Sequence, residues 1–245
     1  MDYTEYHLNV RENVQIMITA GGITVLIAYL FYNSWKAGIL FPVVYYLVQK
    51  QTRHVKRRKR MELLAKQFQD TMQAVCTATA AGMSMENAWQ DAEREIKMLY
   101  GEQSDMALEL GVINQSAKLR VPLEETLLDF ARRSGIEDVR SFAEVFSFAK
   151  RGGANFVQMI ENTTYHMRDK FETEEEIQIL VASKKFEQKI MSVVPVLILA
   201  YLKLTSGDYL DLLYGNWFGI SFMSICLVCY GASFVLAGKI LDIKV

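Results

Sequence analysis

A pair of cysteines is the first feature of this 245-residue chain whose spacing could do chemistry. Cys226 and Cys229 form a CxxC motif, which redox thiols and zinc sites use. The motif lies inside an apolar run, where a thiolate is costly, and the sequence offers no second pair of ligands. We therefore interpret both cysteines as small packing residues.

A cluster of carboxylates is the best candidate for a divalent-metal site: Glu172, Glu174, Glu175 and Glu176. Consecutive carboxylates on a helix point around its circumference and do not converge on one ion. The pattern favours a solvated helix face. The sequence therefore predicts no metal site and no cofactor.

The remaining signals for catalysis are equally weak. Gly152 and Gly153 lack the preceding strand and the lysine that a phosphate-binding loop needs. The three histidines are isolated, and no serine lies in a nucleophile elbow. Lys203 is the one ionisable candidate inside an apolar run, and it lies close enough to an end to reach the membrane surface. We expect no enzymatic activity.

Four apolar stretches predict membrane spans, at about 14–34, 37–48, 190–205 and 217–238. The first and last are long enough to cross unaided, whereas the two shorter ones each contain a proline and need help from flanking residues. The predicted regions are accordingly an N-terminal membrane region (1–50) and a C-terminal membrane hairpin (190–245).

Basic residues predict the orientation of these spans. Seven positive charges without an acidic neighbour follow the second stretch: Lys50, Arg53, Lys56, Arg57, Arg58, Lys59 and Arg60. The loop between the last two spans carries two aspartates and no lysine or arginine, so the basic run should face the cytoplasm. Four spans place the N-terminus inside, whereas a single N-terminal span would place it outside. The run is a topology signal touching anionic lipid or, alternatively, a docking site for an acidic partner.

The region 51–189 predicts a cytoplasmic bundle of about six antiparallel helices. Residues 61–189 contain 22 acidic and 15 basic side chains, and this acidic excess disfavours nucleic-acid binding. Helix ends are predicted at Gly82, Gly101, Gly135 and the Gly152–Gly153 pair, with Ser84 as a cap and Pro122 in a first turn. The predicted inner faces are Leu64, Phe68, Met72, Val75 and Thr79; Met85, Ala88, Trp89, Ala92, Ile96 and Leu99; Leu123, Leu127, Leu128 and Ala131; and Val139, Phe142, Phe146 and Ala149.

The sixth helix of this region is predicted to begin near Asn155. It meets no helix breaker before Pro195, so it should run continuously, or nearly so, into the third span. The fold class is therefore all-α: a multi-pass membrane protein with a cytoplasmic helical bundle between two membrane hairpins.

The order of these features resembles the type II secretion F-domain family, and within it the single-domain members of tight-adherence (Tad) pilus systems, of the TadB-like or TadC-like kind. Four motifs carry the resemblance: AAGMSMENAW (80–89), FAKRGGANFVQMIENTTYHMRDK (148–170), KKFEQKIMSVVP (184–195) and SGDYLDLLYGNWFGI (206–220). The similarity extends from the basic run to the C-terminus. The chain has one F domain, unlike the two-domain platforms of classical type II secretion.

The resemblance implies a platform in the cytoplasmic membrane that couples a cytosolic hexameric ATPase to the extraction of pilin subunits. The implied partners are that ATPase, pilins, membrane lipids, and a second F-domain paralogue or another copy of the chain. Partner contacts are expected at the turn containing Gly82 and Ser84, and at the segment of Lys150, Arg151, Gly152 and Gly153. Pro195 marks the entry of the sixth helix into the membrane.

Two other classes of protein have similar features. A membrane-anchored adaptor or receptor would share the spans and the bundle, so its partners would distinguish it from a platform. A membrane-embedded enzyme would need converging polar groups, which the sequence does not provide.

Overall fold

The computed structural model describes Tyr3, residues 10–32, 35–152 and 156–205, Tyr214 and residues 216–240. All regular structure in these ranges is helical and none is strand, which confirms the all-α prediction. The α-helices are α1 (Val10–Ile27), α2 (Phe41–Ala80), α3 (Met85–Tyr100), α4 (Asp105–Lys118), α5 (Leu123–Ser134), α6 (Glu137–Gly152), α7 (Phe156–Thr205) and α8 (Trp217–Ile240). A π-helical turn, Ala28–Tyr32, follows α1, and a 3-10 helix, Trp35–Leu40, precedes α2.

The chain divides into two compact units. The helical unit consists of Met1–His7 and Arg53–Glu172, and the apolar unit consists of Leu8–Thr52 and Thr173–Val245. By these limits, α2 and α7 each contribute residues to both units. The predicted domain limits at 51–189 and 190–245 stay predictions, because the units group residues by contact and not by their place in a membrane.

The helix ends of the helical unit follow the local signals in the sequence. Gly82 has φ +88° and Gly135 has φ +64°, in the region where glycine is unstrained. The Ser84 hydroxyl accepts a hydrogen bond from the Asn87 N–H at 3.4 Å and caps α3. α3 ends before Gly101, and α5 starts directly after Pro122. The predicted ends at Gly82, Gly101 and Gly135 and the Ser84 cap are confirmed, whereas Pro122, predicted within the first turn, is the cap residue just before it.

The core of the helical unit contains side chains from all of α2 to α7. Phe68 lies at its centre, with its ring centroid 6.1 Å from that of Phe130 and 5.6 Å from that of Phe142. The predicted inner faces are buried or partly buried with one exception: Leu99 is 61% exposed, so its assignment was wrong. Leu99 lies in the last turn of α3, where the buried face of the helix continues from Ile96 to the partly buried Tyr100 and leaves Leu99 beside it.

The apolar unit has a small core in the described ranges. It consists of Leu30, Phe31 and Met223, with partly buried neighbours on α7 and α8 such as Val196 and Leu227. Most other large apolar side chains of α7 beyond residue 178 and of α8 are exposed.

Three helical stretches are long and apolar enough to cross a membrane: Val10–Tyr32, Gln158–Thr205 and Trp217–Ile240. They contain the described parts of the predicted spans 14–34, 190–205 and 217–238. The predicted span 37–48 is not among them, because it is divided between the 3-10 helix and the start of α2.

The predicted sixth helix of region 51–189 is continuous over its described residues, as the sequence predicted. α7 extends over 50 residues with Pro195 inside it. Its predicted start near Asn155 falls next to residues 153–155, which lie outside the described residues. The first described residue of the helix is Phe156.

Candidate functional site

The predicted contact turn between α2 and α3 has a defined backbone geometry. The Met83 N–H donates to the Ala78 carbonyl at 3.1 Å, and the Gly82 N–H donates to the Thr79 carbonyl at 3.0 Å. This pair of bonds is the Schellman arrangement, which satisfies carbonyls at a helix end. The turn is therefore closed by backbone hydrogen bonds, and the Met83 side chain on it is exposed.

The second predicted contact segment lies at the end of α6. The Lys150 ammonium forms an ion pair with Glu124 in the first turn of α5, at 2.6 Å. Arg151 and Gly152 belong to the last turn of α6, and Gly153 lies outside the described residues. Lys150 thus joins two helix ends of the helical unit, and its charge is already partly neutralised by Glu124.

The members of the basic run differ in their contacts: some pair with acidic residues of the helical unit, and others are exposed. Arg58 pairs with Glu62 one turn later, at 2.8 Å. Arg60 binds the Asp105 carboxylate with two nitrogens, each at 2.7 Å. Arg53, Arg57 and Lys59 are exposed. The C-terminal end of the run therefore fixes α2 to the start of α4, and the exposed members remain the candidates for lipid or partner contact.

A site that the sequence did not predict lies around Tyr3. Its side chain is 1% exposed, and its hydroxyl donates to Glu109 Oε1 at 2.8 Å. Its backbone N–H donates to the Arg133 carbonyl at 3.1 Å. The Tyr3 ring meets Phe130 edge-to-face, with centroids 6.5 Å apart, and the Arg60 guanidinium carbon lies 5.0 Å from its centroid.

The charged groups of this site hold one another in place. Arg133 Nη1 and Nη2 bind the two Glu109 oxygens at 2.6 and 2.7 Å, and Arg133 Nε binds Asp129 at 2.7 Å. The hydrogen bond to Glu109 raises the pKa of the Arg133 guanidinium. Burial, reinforced by the hydrogen bond to Glu109, raises the pKa of the Tyr3 hydroxyl and keeps it protonated as a donor.

A groove of about 420 Å³ lies between the C-terminal half of α2 and the N-terminal half of α7. Its lining includes Gln73, Thr77, Glu161, Asn162 and Arg168. Cys76 lies in its floor, where its sulfur is 3.3 Å from the Thr164 hydroxyl, and burial raises the pKa of the thiol. A protonated, buried thiol is a poor nucleophile, so this groove has no reactive group at Cys76.

Lys203 lies among tyrosines in the apolar unit. Its ammonium donates to the Tyr29 carbonyl and lies 3.7 Å from the Tyr29 ring centroid and 5.2 Å from that of Tyr214. Tyr214 in turn donates to the Leu30 carbonyl at 2.6 Å. Both acceptor carbonyls belong to the π-helical turn, whose altered hydrogen bonding leaves carbonyls open to side-chain donors.

These contacts join helices within the helical unit and within the apolar unit. Across the described ranges, no three His, Cys, Asp or Glu side chains lie close enough to hold a metal ion. Ser84, Lys150 and Arg60 contact different neighbours, which are Asn87, Glu124 and Asp105 respectively.

No protein-family model, curated protein or solved structure matches this chain.

Proposed function

We propose that this chain is a non-catalytic membrane platform of a pilus-type secretion machine, as the F-domain resemblance implies. In this proposal it crosses the cytoplasmic membrane several times and keeps the helical unit in the cytoplasm as an antiparallel six-helix bundle. The observation that carries the proposal is α7, a single 50-residue helix that begins in the helical unit and ends in a stretch apolar enough to cross a membrane.

Helix α7 supplies a mechanical connection. An α-helix rises 1.5 Å per residue, so 50 residues extend for about 75 Å. Every turn is closed by backbone hydrogen bonds, apart from the bond that Pro195 cannot donate. A displacement that an ATPase applies to the helical unit would therefore pass along α7 into the membrane, where pilin subunits are extracted.

The contacts of Tyr3 support a cytoplasmic N-terminus. Tyr3 contacts Arg60 and Arg133 of the helical unit, so it lies on the same side of the membrane as that unit. The chain between Tyr3 and Arg60 must then cross the membrane an even number of times. If Val10–Tyr32 is one crossing, the short stretch 37–48 supplies the return, which gives the four-span arrangement with the N-terminus and the basic run on the same side.

The exposed apolar surfaces support lipid as a partner of the apolar unit. Leu197 on α7 and Val228 on α8 are examples of large apolar side chains left exposed along whole helices. Surfaces of this extent do not persist in water and normally mark a membrane or a protein interface. Trp217 and Phe218 at the start of α8 are the amphipathic and aromatic residues typical of a membrane–water boundary.

An insertion experiment tests the mechanical role of α7. Seven flexible Gly-Ser residues inserted after Ser183 should abolish filament assembly in the native host while leaving membrane insertion intact. The matched control inserts seven Ala-rich helical residues at the same position, which adds two turns and keeps both the helix and its rotational phase. Normal filaments from the Gly-Ser variant would refute the proposed coupling.

A membrane-anchored adaptor or receptor without enzymatic activity is the alternative. It would use the same spans and helical unit, so its partners decide between the two functions. Genes for a secretion ATPase and a pilin beside the gene for this chain would favour the platform. Neighbouring genes for a transporter or sensor would favour the adaptor.

A further inference from the structure

A line of exposed apolar side chains follows one side of α7 within the apolar unit. This α7 stripe consists of Ile179, Ala182, Phe186, Ile190 and Val193, all of which are exposed. Successive members are 3, 4, 4 and 3 residues apart, so they lie on one face of the helix. The exposed fraction is 71% for Ile179 and 66% for Phe186.

A different face of α7 makes the contacts with the rest of the apolar unit. Leu199 packs against the small core, and the Ser192 carbonyl accepts a hydrogen bond from the Tyr230 hydroxyl. Gln188, which lies about 160° around the helix from Phe186, is half-buried. The α7 stripe therefore has no cover from the described residues of its own unit.

Lipid tails can cover only the C-terminal part of the α7 stripe. Ile179 lies 11 residues before Ile190, which is about 16 Å along the helix axis. The helix between these two residues carries four charged side chains: Lys184, Lys185, Glu187 and Lys189. Charges at this density are costly in hydrocarbon, so Ile179 and Phe186 lie on the aqueous side. An exposed apolar line in water indicates a protein interface, and its occupant must follow the stripe into the membrane.

A second copy of α7 meets this requirement. It changes from charged to apolar at the same position, and both copies enter the membrane from the same side, so the two helices run parallel. In a parallel two-fold pair, each residue on the contact line faces its own counterpart. Phe186 would face Phe186 of the other copy, and Ala182 is small enough to let the two helices approach closely.

The charged residues beside the stripe also suit a parallel pair. Counted around the helix from Phe186, Glu187 lies about 100° to one side and Lys189 about 60° to the other. Two-fold symmetry places the Lys189 edge of one copy beside the Glu187 edge of the other, where opposite charges attract. Glu187 forms an exposed ion pair with Lys184 of its own helix at 2.9 Å, and such a pair is weak enough to exchange its partner.

We propose that the α7 stripe is the contact surface of a homodimer in which two copies of α7 pack in parallel over residues 179–193, across the membrane surface. Lipid covers the other exposed apolar faces of the apolar unit. The proposal rests on the membrane insertion of α7 in the proposed function, but it does not depend on the secretion role.

Photo-cross-linking in membranes of the native host tests this contact. The full chain carries p-benzoylphenylalanine in place of Phe186, which it resembles in shape. The matched control carries it in place of Lys184, which is also exposed and lies about 160° around the helix. We expect the Phe186 variant to give a covalent product of two copies of this chain, identified by mass spectrometry, and the Lys184 variant to give none.

A charge substitution measures the strength of the contact. Phe186→Glu would place two carboxylates against each other at the two-fold axis, where like charges repel. We expect it to raise the dissociation constant of the dimer at least about ten-fold, measured by sedimentation in detergent micelles. Lys184→Glu introduces the same residue on the other side of the helix and should leave the constant unchanged. Circular dichroism of both variants shows whether they fold.

Three results would overturn the homodimer for a chain recovered in the membrane fraction. These are no cross-linked product at Phe186, equal products from both positions, or a product at Phe186 that contains a different protein. A chain recovered in the soluble fraction would refute membrane insertion, and with it both the homodimer and the proposed function.

Discussion

The helical unit and the apolar unit remove apolar side chains from water in different ways. In the helical unit, Phe68, Phe130 and Phe142 are covered by one another and by six helices of the same chain. In the apolar unit, the described core is limited to Leu30, Phe31, Met223 and their neighbours, while apolar faces of α7 and α8 remain exposed. The hydrophobic effect acts on both. The difference indicates that the apolar unit must obtain its cover from outside the chain.

The two units also differ in the side-chain hydrogen bonds that join their helices. The helical unit joins its helices with charged pairs such as Arg133–Glu109 and Arg60–Asp105. In the apolar unit, neutral hydroxyls bind across helices: Tyr32 lies 2.9 Å from the Ser224 hydroxyl, and Tyr230 donates to the Ser192 carbonyl at 2.5 Å. Moving a neutral hydrogen-bonded group from water to an apolar solvent costs less free energy than moving an ion. They are therefore suited to a membrane.

The largest expected effect comes from truncating a phenylalanine in each unit. Phe130 is 0% exposed, so Phe130→Ala should lower the free energy of unfolding by about 3–5 kcal/mol through lost contacts and a cavity. Phe222 on α8 is 52% exposed, and Phe222→Ala should lower it by less than about 1 kcal/mol. Pulse proteolysis of the full chains in detergent micelles, over a range of urea concentrations, measures both. Equal losses would contradict the difference between the units.

The second test removes one partner from a buried and from an exposed ion pair. Glu109 is 3% exposed, and Glu109→Ala removes the acceptor of the Tyr3 hydroxyl and the bidentate partner of Arg133, which keeps its pair with Asp129. We expect a loss of about 3 kcal/mol. The matched control is Glu144→Ala, which breaks the exposed pair with Arg140 and should change stability by about 0.5 kcal/mol or less. The same urea assay compares them, and a similar effect of both variants would argue against a structural role for the buried pair.

A pH titration tests the hydrogen bond between Tyr100 and Asp70 in the helical unit. The Tyr100 hydroxyl donates to Asp70 at 2.5 Å, and burial together with this hydrogen bond raises the pKa of Tyr100 from 10.0 to about 12. Because the folded pKa lies above the unfolded one, this contribution to stability is complete below about pH 10 and is lost as the pH rises through about 12. The difference in urea midpoint between wild type and Tyr100→Phe should therefore shrink over this range. A constant difference would exclude the ionisation of Tyr100 as its cause.

The smallest effect compares two helix ends built in the same way. The Val121 N–H donates to the Ser116 carbonyl and the Arg120 N–H donates to the Ala117 carbonyl, the Schellman pattern that also ends α2. At the position that Gly82 fills in α2, α4 has Arg120 with φ +61°. Arg120→Gly should raise the free energy of unfolding by about 0.5–1 kcal/mol, whereas Gly82→Ala should lower it by about 1 kcal/mol. Changes of opposite sign in the free energy of unfolding, measured in the urea assay, would support the explanation by backbone conformation. Changes of the same sign for both variants would contradict it.

The success of the sequence-based predictions depended on the distance between the residues involved. Gly82, Ser84 and Gly101 act within their own turns, so their types were sufficient to predict the helix ends. The continuity of α7 followed from the lack of a breaker before Pro195. Phe130 was not assigned to the inner face of its helix although it lies three residues after Leu127, a spacing that could have revealed it.

The Tyr3 site could not be predicted in this way. Tyr3 and Glu109 are separated by 106 positions, and neither lies in a periodic pattern that includes the other. Tyr3 lies among mostly polar residues, which give no sign of its burial. The Arg60–Asp105 pair could not be predicted for the same reason. In the sequence Arg60 is only the last member of a basic run, and only the fold brings Asp105 beside it.

The measurement that tests the central proposal most directly is affinity purification of the full chain, solubilised in detergent from its native host, with mass spectrometry of the proteins that co-elute. The proposed platform should recover a secretion ATPase and a second F-domain protein. A variant that lacks residues 61–185 but still inserts into the membrane should lose the ATPase. Recovery of a transporter or sensor without an ATPase would contradict the platform and favour the adaptor.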